Sequence, residues 1–246
     1  MRIILSLSSE GILKIPFSYN EIIQGLIYSH LDKVLADFLH NEGFLFKKRK
    51  FKLFTFSRIL GRVKARRDGF EIASPFSIVI SSPYSEILRS LAENLIRSSE
   101  VYFGKQNIFV ESVKVEFSPK FEGPAHIKML SPVTVYSTLK APKGKKTYYY
   151  NPKEYEFSEL IRENILKKYR AYYRDEPRDE SFNIEPLKVS KRDEKIISYK
   201  GFIIKGWMGT YRLSGSSELL KLAYDAGIGA KNSQGFGCFE VINQVG

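Results

Sequence analysis

Three histidines, His30, His40 and His126, are the side chains best suited to acid–base chemistry in this sequence of 246 residues. An imidazole has an unperturbed pKa of about 6.5, so it can accept or donate a proton near neutral pH. The one cysteine, Cys238, allows neither an internal disulfide nor a cysteine metal site. Because no acidic cluster with histidine at ligand spacing is present, the sequence predicts proton-transfer chemistry without a metal site or another cofactor.

A glycine-rich segment, AGIGAKNSQGFGCFEV at residues 226–241, follows a predicted helix and precedes a predicted strand. Its glycines are Gly227, Gly229, Gly235 and Gly237. Phosphate-binding glycine motifs open a helix instead, and the negative end of the helix dipole lies here, so no nucleotide site is expected. Two interpretations are compatible. In the first, Gly227 caps the helix and the other glycines allow the backbone to approach another strand closely. In the second, the glycines form a long exposed loop that binds a phosphate backbone together with Lys231, Asn232 and Ser233.

The charge of the chain indicates a polyanionic partner. Lys and Arg number 39 against 27 Asp and Glu, a formal charge of +12 that attracts nucleic acid first and an acidic membrane surface second. Residues 45–67 hold ten Lys or Arg and no acid, and strand alternation would place these charges on one face. We expect this face to follow a phosphate backbone; an ordinary solvated face is the alternative interpretation. Residues 139–150 combine four lysines with three tyrosines and predict a mobile loop that stacks bases and contacts phosphates.

The order of the predicted elements gives the fold class. Apolar periodicity predicts helices at 20–40, 85–99, 156–173 and 216–227, with strands before, between and after them. The first half follows the β-α-β-β-α-β order of a ferredoxin-like unit, and the order begins again after Gly123-Pro124. The sequence therefore predicts an α+β protein with two tandem ferredoxin-like (RNA-recognition-motif-like) domains, 1–122 and 123–246, and a C-terminal glycine-rich loop.

The N-terminal apolar run is too short for a secretory leader, and no apolar stretch approaches the ~20 residues of a membrane span. We therefore expect a cytoplasmic protein with no membrane partner.

Several segments together carry a resemblance to a known family. They are RIILSL, IPFSYNEIIQGLIYSHL and FKLFTFS in the first half, and GIGAKNSQGFG after the last helix. The glycine-rich segment resembles the motif of the repeat-associated RAMP superfamily, and the others resemble its CRISPR repeat-processing endoribonucleases. That family cuts the CRISPR transcript within each repeat without metal, leaving a 5′-hydroxyl and a 2′,3′-cyclic phosphate. The resemblance implies the same reaction here, with CRISPR repeat RNA as the partner, and CRISPR effector proteins and a second copy of the chain as further expected partners.

The resemblance also implies three catalytic residues, Tyr28, His40 and Lys52. His40 would act as acid–base residue and Lys52 would stabilise charge on the phosphate oxygens. Tyr28 would orient a group or relay a proton, because an unperturbed pKa of about 10 favours the neutral phenol. Without the family, a packed ring, a helix-capping histidine and a solvated lysine would explain the three residues.

The spacing of Tyr28 and His40 predicts a break in the helix that contains them. On one straight helix they would lie ~18 Å apart, too far to act on one phosphate. Asp32 is the expected N-cap of a second helix, although no glycine or proline enforces the break.

The expected RNA contacts come from the two basic segments and the glycine-rich segment. They are Lys47, Lys48, Arg49, Lys50, Arg58, Arg62, Lys64, Lys143, Lys145, Lys146, Gly229, Lys231, Asn232 and Ser233. An alternative function is a non-cleaving RAMP-type protein that binds repeat RNA. A general RNA-binding protein with paired recognition motifs is disfavoured, because its basic-Gly-aromatic consensus is not recognisable.

Overall fold

Two β-α-β-β-α-β units follow one another in the computed structural model, which describes residues 1–98, 100–142 and 144–244. The elements of the first unit are β1 (Arg2–Ser8), β2 (Leu13–Ile15), α1 (Asn20–Ser29), α2 (Lys33–Asp37), β3 (Phe44–Phe46), β4 (Arg49–Phe51), β5 (Thr55–Phe56), β6 (Leu60–Ala65), β7 (Phe70–Ser81), α3 (Ser85–Arg97), β8 (Val101–Phe103) and β9 (Gln106–Glu116). A π-helical turn, Phe38–Glu42, follows α2 directly.

The first sheet has the strand arrangement of a ferredoxin-like unit. β1 lies between β7 and β9 and is antiparallel to both, with Leu5 opposite Ile78 on one side and Val113 on the other. The neighbouring strands follow the order β9-β1-β7-β6, with β2 and β5 also pairing with β7 and β8 with β9. Along β1 every second residue from Ile3 to Leu7 is almost completely buried, so this central strand turns one face to the core.

The second unit repeats this arrangement. Its elements are β10 (Ala125–Met129), β11 (Tyr136–Ala141), β12 (Gly144–Tyr149), α4 (Tyr155–Tyr173), β13 (Phe182–Lys188), β14 (Glu194–Tyr199), β15 (Phe202–Trp207), β16 (Thr210–Gly215), α5 (Ser217–Ala226) and β17 (Phe239–Gln244). The sheet order β13-β16-β10-β17 again places the first strand between the third and the fourth. The prediction of two ferredoxin-like units is confirmed.

Hairpins inserted between the sheet strands differ from the predictions. β3 pairs with β4, β11 with β12 and β14 with β15. The segment 139–150 was expected to be a loop, but most of it belongs to the β11–β12 hairpin. The cross-strand pairing of Tyr136 with Tyr149 stabilises this hairpin beyond what its basic composition suggests.

Each unit has its own apolar core, and a buried arginine joins the two. The Arg2 guanidinium lies 3.5 Å from the centroid of the Tyr224 ring. It also donates to the carbonyl oxygen of Phe239 at 3.1 Å, which connects the first strand of one unit to the last strand of the other. Among the described residues, none of the helices combines the length and the apolar composition that crossing a bilayer requires.

The helix containing Tyr28 breaks where the spacing predicts. α1 ends at Ser29, and Asp32 occupies the N-cap position of α2 with extended backbone angles. The Asp32 side chain makes no capping hydrogen bond. Instead, Ser90 Oγ of α3 accepts from the Asp32 amide at 2.8 Å, and Asn94 Nδ2 donates to the His30 carbonyl at 3.0 Å. Contacts with α3 therefore satisfy the interrupted backbone.

Candidate functional site

A cleft of about 760 Å³ lies where the two units meet. Residues 49–54, residues 134–138, helix α4 and the glycine-rich loop, defined here as residues 227–237, line it. Glu163 is the one acidic residue among the described residues of the lining. Five basic residues of the lining are at least partly exposed, namely Arg49, Lys50, Lys52, Lys167 and Lys231, whereas Lys168 is buried. Such a concentration of positive charge suits a polyanionic ligand.

Steric crowding explains the glycines of the glycine-rich loop. All four glycines have positive φ angles, between +69° and +84°. A Cβ atom on Gly229 would lie 2.6 Å from the Thr134 carbonyl oxygen, and one on Gly237 would lie 2.0 Å from the Ile228 carbonyl oxygen. Side chains are therefore excluded both by the backbone angles and by neighbouring backbone. The steric interpretation therefore accounts for all four glycines of the motif, and not merely for one or two of them.

The glycine-rich loop lies between the two units and bonds to both. Thr55 Oγ1 of the first unit donates to the Phe236 carbonyl at 2.8 Å. The Ala230 amide donates to the Thr134 carbonyl of the second unit at 2.9 Å. Ile228 and Phe236 are both fully buried, so the expectation of a long exposed loop is wrong. Only part of the loop faces the cleft.

Asn232, an expected RNA contact, braces the loop from within. Its Nδ2 donates to the carbonyl oxygens of Ile228 at 3.0 Å and Phe236 at 2.9 Å, and the residue is 9% exposed. Both amide protons are therefore occupied by the protein itself. Its neighbour Ser233 is half-buried and lines the cleft.

Lys231 presents its ammonium group to the cleft. Its Nζ lies 5.2 Å from the centroid of the Tyr136 ring, a cation–π contact with the β11–β12 hairpin. Partial burial lowers the pKa of the Lys231 side chain. The structure thus places Lys231 and Gly229 in one lining, as expected from the sequence.

A buried lysine that the sequence analysis did not select holds the other side of the loop. Lys168 of α4 donates from Nζ to the carbonyl oxygens of Gly227 at 2.7 Å and Gly229 at 3.1 Å. Burial lowers the pKa of this side chain to about 7. Its position follows the buried positions Ile161 and Ile165 at helical spacing, so the periodicity of α4 could have identified Lys168 as a core lysine.

Lys52 and His40 come together through the backbone. Lys52 Nζ donates to the His40 carbonyl oxygen at 2.8 Å. Partial burial, assisted by the nearby Lys50 ammonium, lowers the pKa of Lys52. The His40 side chain is exposed in the π-helical turn, and its Nδ1 lies 2.9 Å from Asn41 Oδ1. Lys52 lines the cleft, whereas the His40 imidazole lies outside the lining.

Tyr28 lies on α1, against the core of the first unit. Its ring packs edge-to-face against Phe54, with centroids 6.0 Å apart. Burial, with a smaller contribution from Tyr199, raises the pKa of the Tyr28 hydroxyl to about 12. The phenol therefore stays protonated at neutral pH, which favours orientation or proton relay over proton abstraction. Phe54 lines the cleft, whereas Tyr28 itself lies outside the lining.

The first basic segment does not form the single face expected from strand alternation. Lys47 and Lys48 form the turn between β3 and β4, and the positive φ of Lys47, +52°, belongs to that turn. Arg49 and Lys50 continue on β4 into the cleft. The chain then changes direction at Leu53, whose φ is +50°, so the remaining charges lie elsewhere.

The other expected RNA contacts occupy separate surfaces. Arg58 lies in another groove, where its Nε donates to the Tyr19 hydroxyl at 3.4 Å. Arg62 and Lys64 are exposed on β6. Lys145 and Lys146 are exposed on β12, and Lys143 lies outside the described residues.

Comparisons with known proteins agree along the whole chain. The family model for CRISPR-associated protein Cas6, N-terminal, matches residues 14–114, and that for CRISPR associated protein Cas6, C-terminal, matches residues 116–241. The chain is 30% identical to CRISPR-associated endoribonuclease Cas6 1 of Methanocaldococcus jannaschii, covering 96% of this chain and 91% of that one. It is 29% identical to CRISPR-associated endoribonuclease Cas6 of Pyrococcus furiosus, with coverage of 93% and 84%.

A solved structure agrees with the fold. A Cas6-related protein of Pyrococcus furiosus matches with a TM-score of 0.87 and 26% identity, over 100% of this chain and 99% of that chain. Its likeness extends over both units. Together with the matched family models, it leads to one conclusion: the chain belongs to the CRISPR-associated Cas6 family.

Proposed function

We propose that this chain binds CRISPR repeat RNA and cuts it within each repeat, without a metal ion, by attack of a 2′-hydroxyl on the adjacent phosphate. The products are a 5′-hydroxyl and a 2′,3′-cyclic phosphate. The observation that carries the proposal is the basic cleft in which Lys52 is hydrogen-bonded to the backbone of His40. The proposal is also supported by the two curated relatives, both of which are named as CRISPR-associated endoribonucleases.

The proposed reaction needs two proton transfers and stabilisation of one charged, phosphorane-like transition state. A bond forms between the 2′-oxygen and phosphorus, while the bond from phosphorus to the 5′-oxygen breaks. The attacking hydroxyl loses its proton and the leaving oxygen gains one. His40 is the proposed acid–base residue, and the Lys52 ammonium is the proposed partner for the phosphate oxygens.

Tyr28 has a supporting role in this proposal. Because its pKa is raised, the hydroxyl donates a hydrogen bond and does not act as the base at neutral pH. RNA entering the cleft would have to approach Tyr28 and His40 from its edge, since neither side chain lies in the lining.

The first test uses synthetic repeat RNA and measures cleavage in the presence of EDTA. We expect a single cut at the same rate as without EDTA. Replacing the 2′-hydroxyl just 5′ of the cut with hydrogen should abolish cleavage and leave the affinity nearly unchanged, because the nucleophile is lost while the phosphates remain. Product analysis should identify the 2′,3′-cyclic phosphate.

Two outcomes of this test would contradict the proposal. Cleavage of the deoxy substrate would indicate attack by water or by a metal-bound hydroxide. Loss of activity in EDTA, restored by a divalent cation, would exclude the metal-independent reaction.

A second prediction concerns the four consecutive basic residues at the β3–β4 turn and the start of β4. Replacing all four residues 47–50 with alanine should weaken repeat binding and flatten its salt dependence. Each phosphate contact on a single strand contributes about 0.7 to the slope of log K against log salt, so the slope should fall by up to about 3. Fluorescence anisotropy at several salt concentrations measures it.

The matched control for this prediction removes the same charge from scattered exposed sites. Its substitutions are Lys33→Ala, Lys105→Ala, Lys114→Ala and Lys188→Ala. The control should retain the slope of the parent protein. Equal slopes for the 47–50 variant and the parent would place the RNA on another surface.

A non-cleaving protein that binds repeat RNA is the second candidate function. The exposed His40 imidazole and the packed Tyr28 ring both lie outside the lining of the cleft, and this arrangement favours binding without efficient cutting. The same assay separates the candidates, since this alternative predicts a mobility shift and intact RNA.

The domain boundary between residues 122 and 123 stays a proposal, supported by sheets that occupy residues 2–116 and 125–244. Cytoplasmic location, binding of CRISPR effector proteins and formation of a homodimer also stay predictions.

A further inference from the structure

A buried lysine without an acidic partner is costly to the fold. Lys168 is 2% exposed, and burial alone causes its pKa shift, with no contribution from a carboxylate among the described residues. Desolvating an ammonium group is strongly unfavourable unless hydrogen bonds compensate. An apolar side chain would fill the same space in the core without this cost. A lysine at this position therefore calls for a role that an apolar residue cannot perform.

The two hydrogen bonds of Lys168 identify that role. Both acceptors, the carbonyls of Gly227 and Gly229, belong to the first three residues of the glycine-rich loop. Gly229 cannot take over the anchoring through a side chain, because any Cβ would collide with Thr134. Lys168 therefore ties α4 to the loop at the point where the loop leaves α5.

Lys231 follows this anchor by two residues. Its backbone is left-handed, with a φ of +61°, and its ammonium is held over the Tyr136 ring in the cleft. A change in the path at Gly229 would move this ammonium, since only Ala230 separates the two residues.

We propose that Lys168 is a positioning residue for RNA binding: it holds the glycine-rich loop so that Lys231 presents its charge to the RNA backbone. The inference rests on the proposed function, because it assumes that the cleft binds RNA. Lys168 itself touches the loop and not the RNA.

The test compares two replacements of Lys168. Both replacements shorten the side chain by one heavy atom, but Lys168→Met donates no hydrogen bond, whereas Lys168→Gln keeps two amide protons. We expect Lys168→Met to raise the Kd for repeat RNA about tenfold while cleavage of saturating RNA stays within twofold of the parent rate. Lys168→Gln should recover part of the lost affinity.

A stability control separates positioning from general destabilisation. Ile165→Ala, on the same helix and in the same core, should lower the melting temperature without a hydrogen bond to the loop being lost. Measured well below its melting temperature, this variant should bind RNA as the parent does. An equal loss of affinity in Ile165→Ala and Lys168→Met would overturn the inference.

A double-mutant cycle tests the route through Lys231. If Lys168 acts by placing Lys231, adding Lys231→Ala to Lys168→Met should weaken binding little further, although Lys231→Ala alone weakens it in the parent. Lys64→Ala, on the distant strand β6, should add its full effect. Additive effects of Lys168→Met and Lys231→Ala would contradict the proposed route.

Hydrogen exchange tests the anchor without RNA. Amides of residues 227–237 should exchange faster in Lys168→Met than in Ile165→Ala, and unchanged exchange would refute the anchoring role. Failure of the parent protein to bind repeat RNA would refute the proposed function instead. The exchange experiment would then still decide whether Lys168 holds the loop.

Discussion

His40→Ala is expected to bind repeat RNA with the affinity of the parent protein and to cut it ~10²–10⁴-fold more slowly, the usual loss for one general acid–base group. Binding should survive because the basic lining of the cleft does not include the imidazole. The side chain is exposed, so its removal should change the free energy of unfolding by no more than about 0.5 kcal/mol. Single-turnover cleavage and equilibrium binding measure the two effects separately.

The contact between Lys52 and residue 40 makes this variant specific. Lys52 Nζ donates to the backbone carbonyl of His40 and not to its side chain. The substitution can therefore remove the imidazole while the lysine keeps its acceptor. A loss of cleavage in His40→Ala would thus report on proton transfer and not on displacement of Lys52.

His126→Ala is the matched control, since His126 lies on β10 opposite Arg212 and Asn243, away from the cleft lining. It should cut RNA at the parent rate. Equal rates for His40→Ala and the parent protein would exclude His40 from the catalytic residues and favour the non-cleaving or a differently catalysed alternative.

Gly237→Ala should produce a large loss of stability. The new Cβ would lie 2.0 Å from the Ile228 carbonyl oxygen and 2.6 Å from Asn232 Nδ2, at a φ of +78°. Backbone strain and the collision together should cost ~3 kcal/mol or more. For a chain of this size, that loss lowers the melting temperature by about 10 °C, which calorimetry would detect.

Gly25→Ala provides the opposite expectation for the same chemical change. Gly25 lies within α1, and a Cβ there would meet nothing within 4 Å. Alanine should therefore stabilise the protein by ~0.5–1 kcal/mol through its helix propensity. Similar melting temperatures for Gly237→Ala and the parent would show that the loop can relax around a side chain.

Gly237→Ala and His40→Ala separate the structural role of the loop from the chemical role of the histidine. The glycine-rich loop acts first as structure, because it packs between the units and bonds to Thr55 and Thr134. Its contribution to RNA binding, through Lys231 and the adjoining backbone, depends on that packing. The exposed His40 is the reverse case, with a large expected effect on chemistry and a small one on folding.

The sequence alone determined the two ferredoxin-like units, because their signals are local. The periodic apolar residues of α3, such as Leu88, Leu91 and Leu95, form the buried face of a helix wherever it packs. The closely spaced apolar residues of β1 likewise indicate a buried strand, and every second residue from Ile3 to Leu7 is buried. The basic charge and the glycine-rich segment were equally visible in the composition.

Tertiary structure alone decided how these parts meet. The break after α1 depends on Ser90 and Asn94, which lie about sixty residues away in sequence and supply the missing hydrogen-bond partners. The basic segment divides between different surfaces because the chain turns at Leu53, which carries no local turn signal. Lys168 is coupled to Gly227 and Gly229 only by the packing of α4 against the loop. Sequence periodicity reports which face of an element is buried, whereas long-range packing decides which residues share a site.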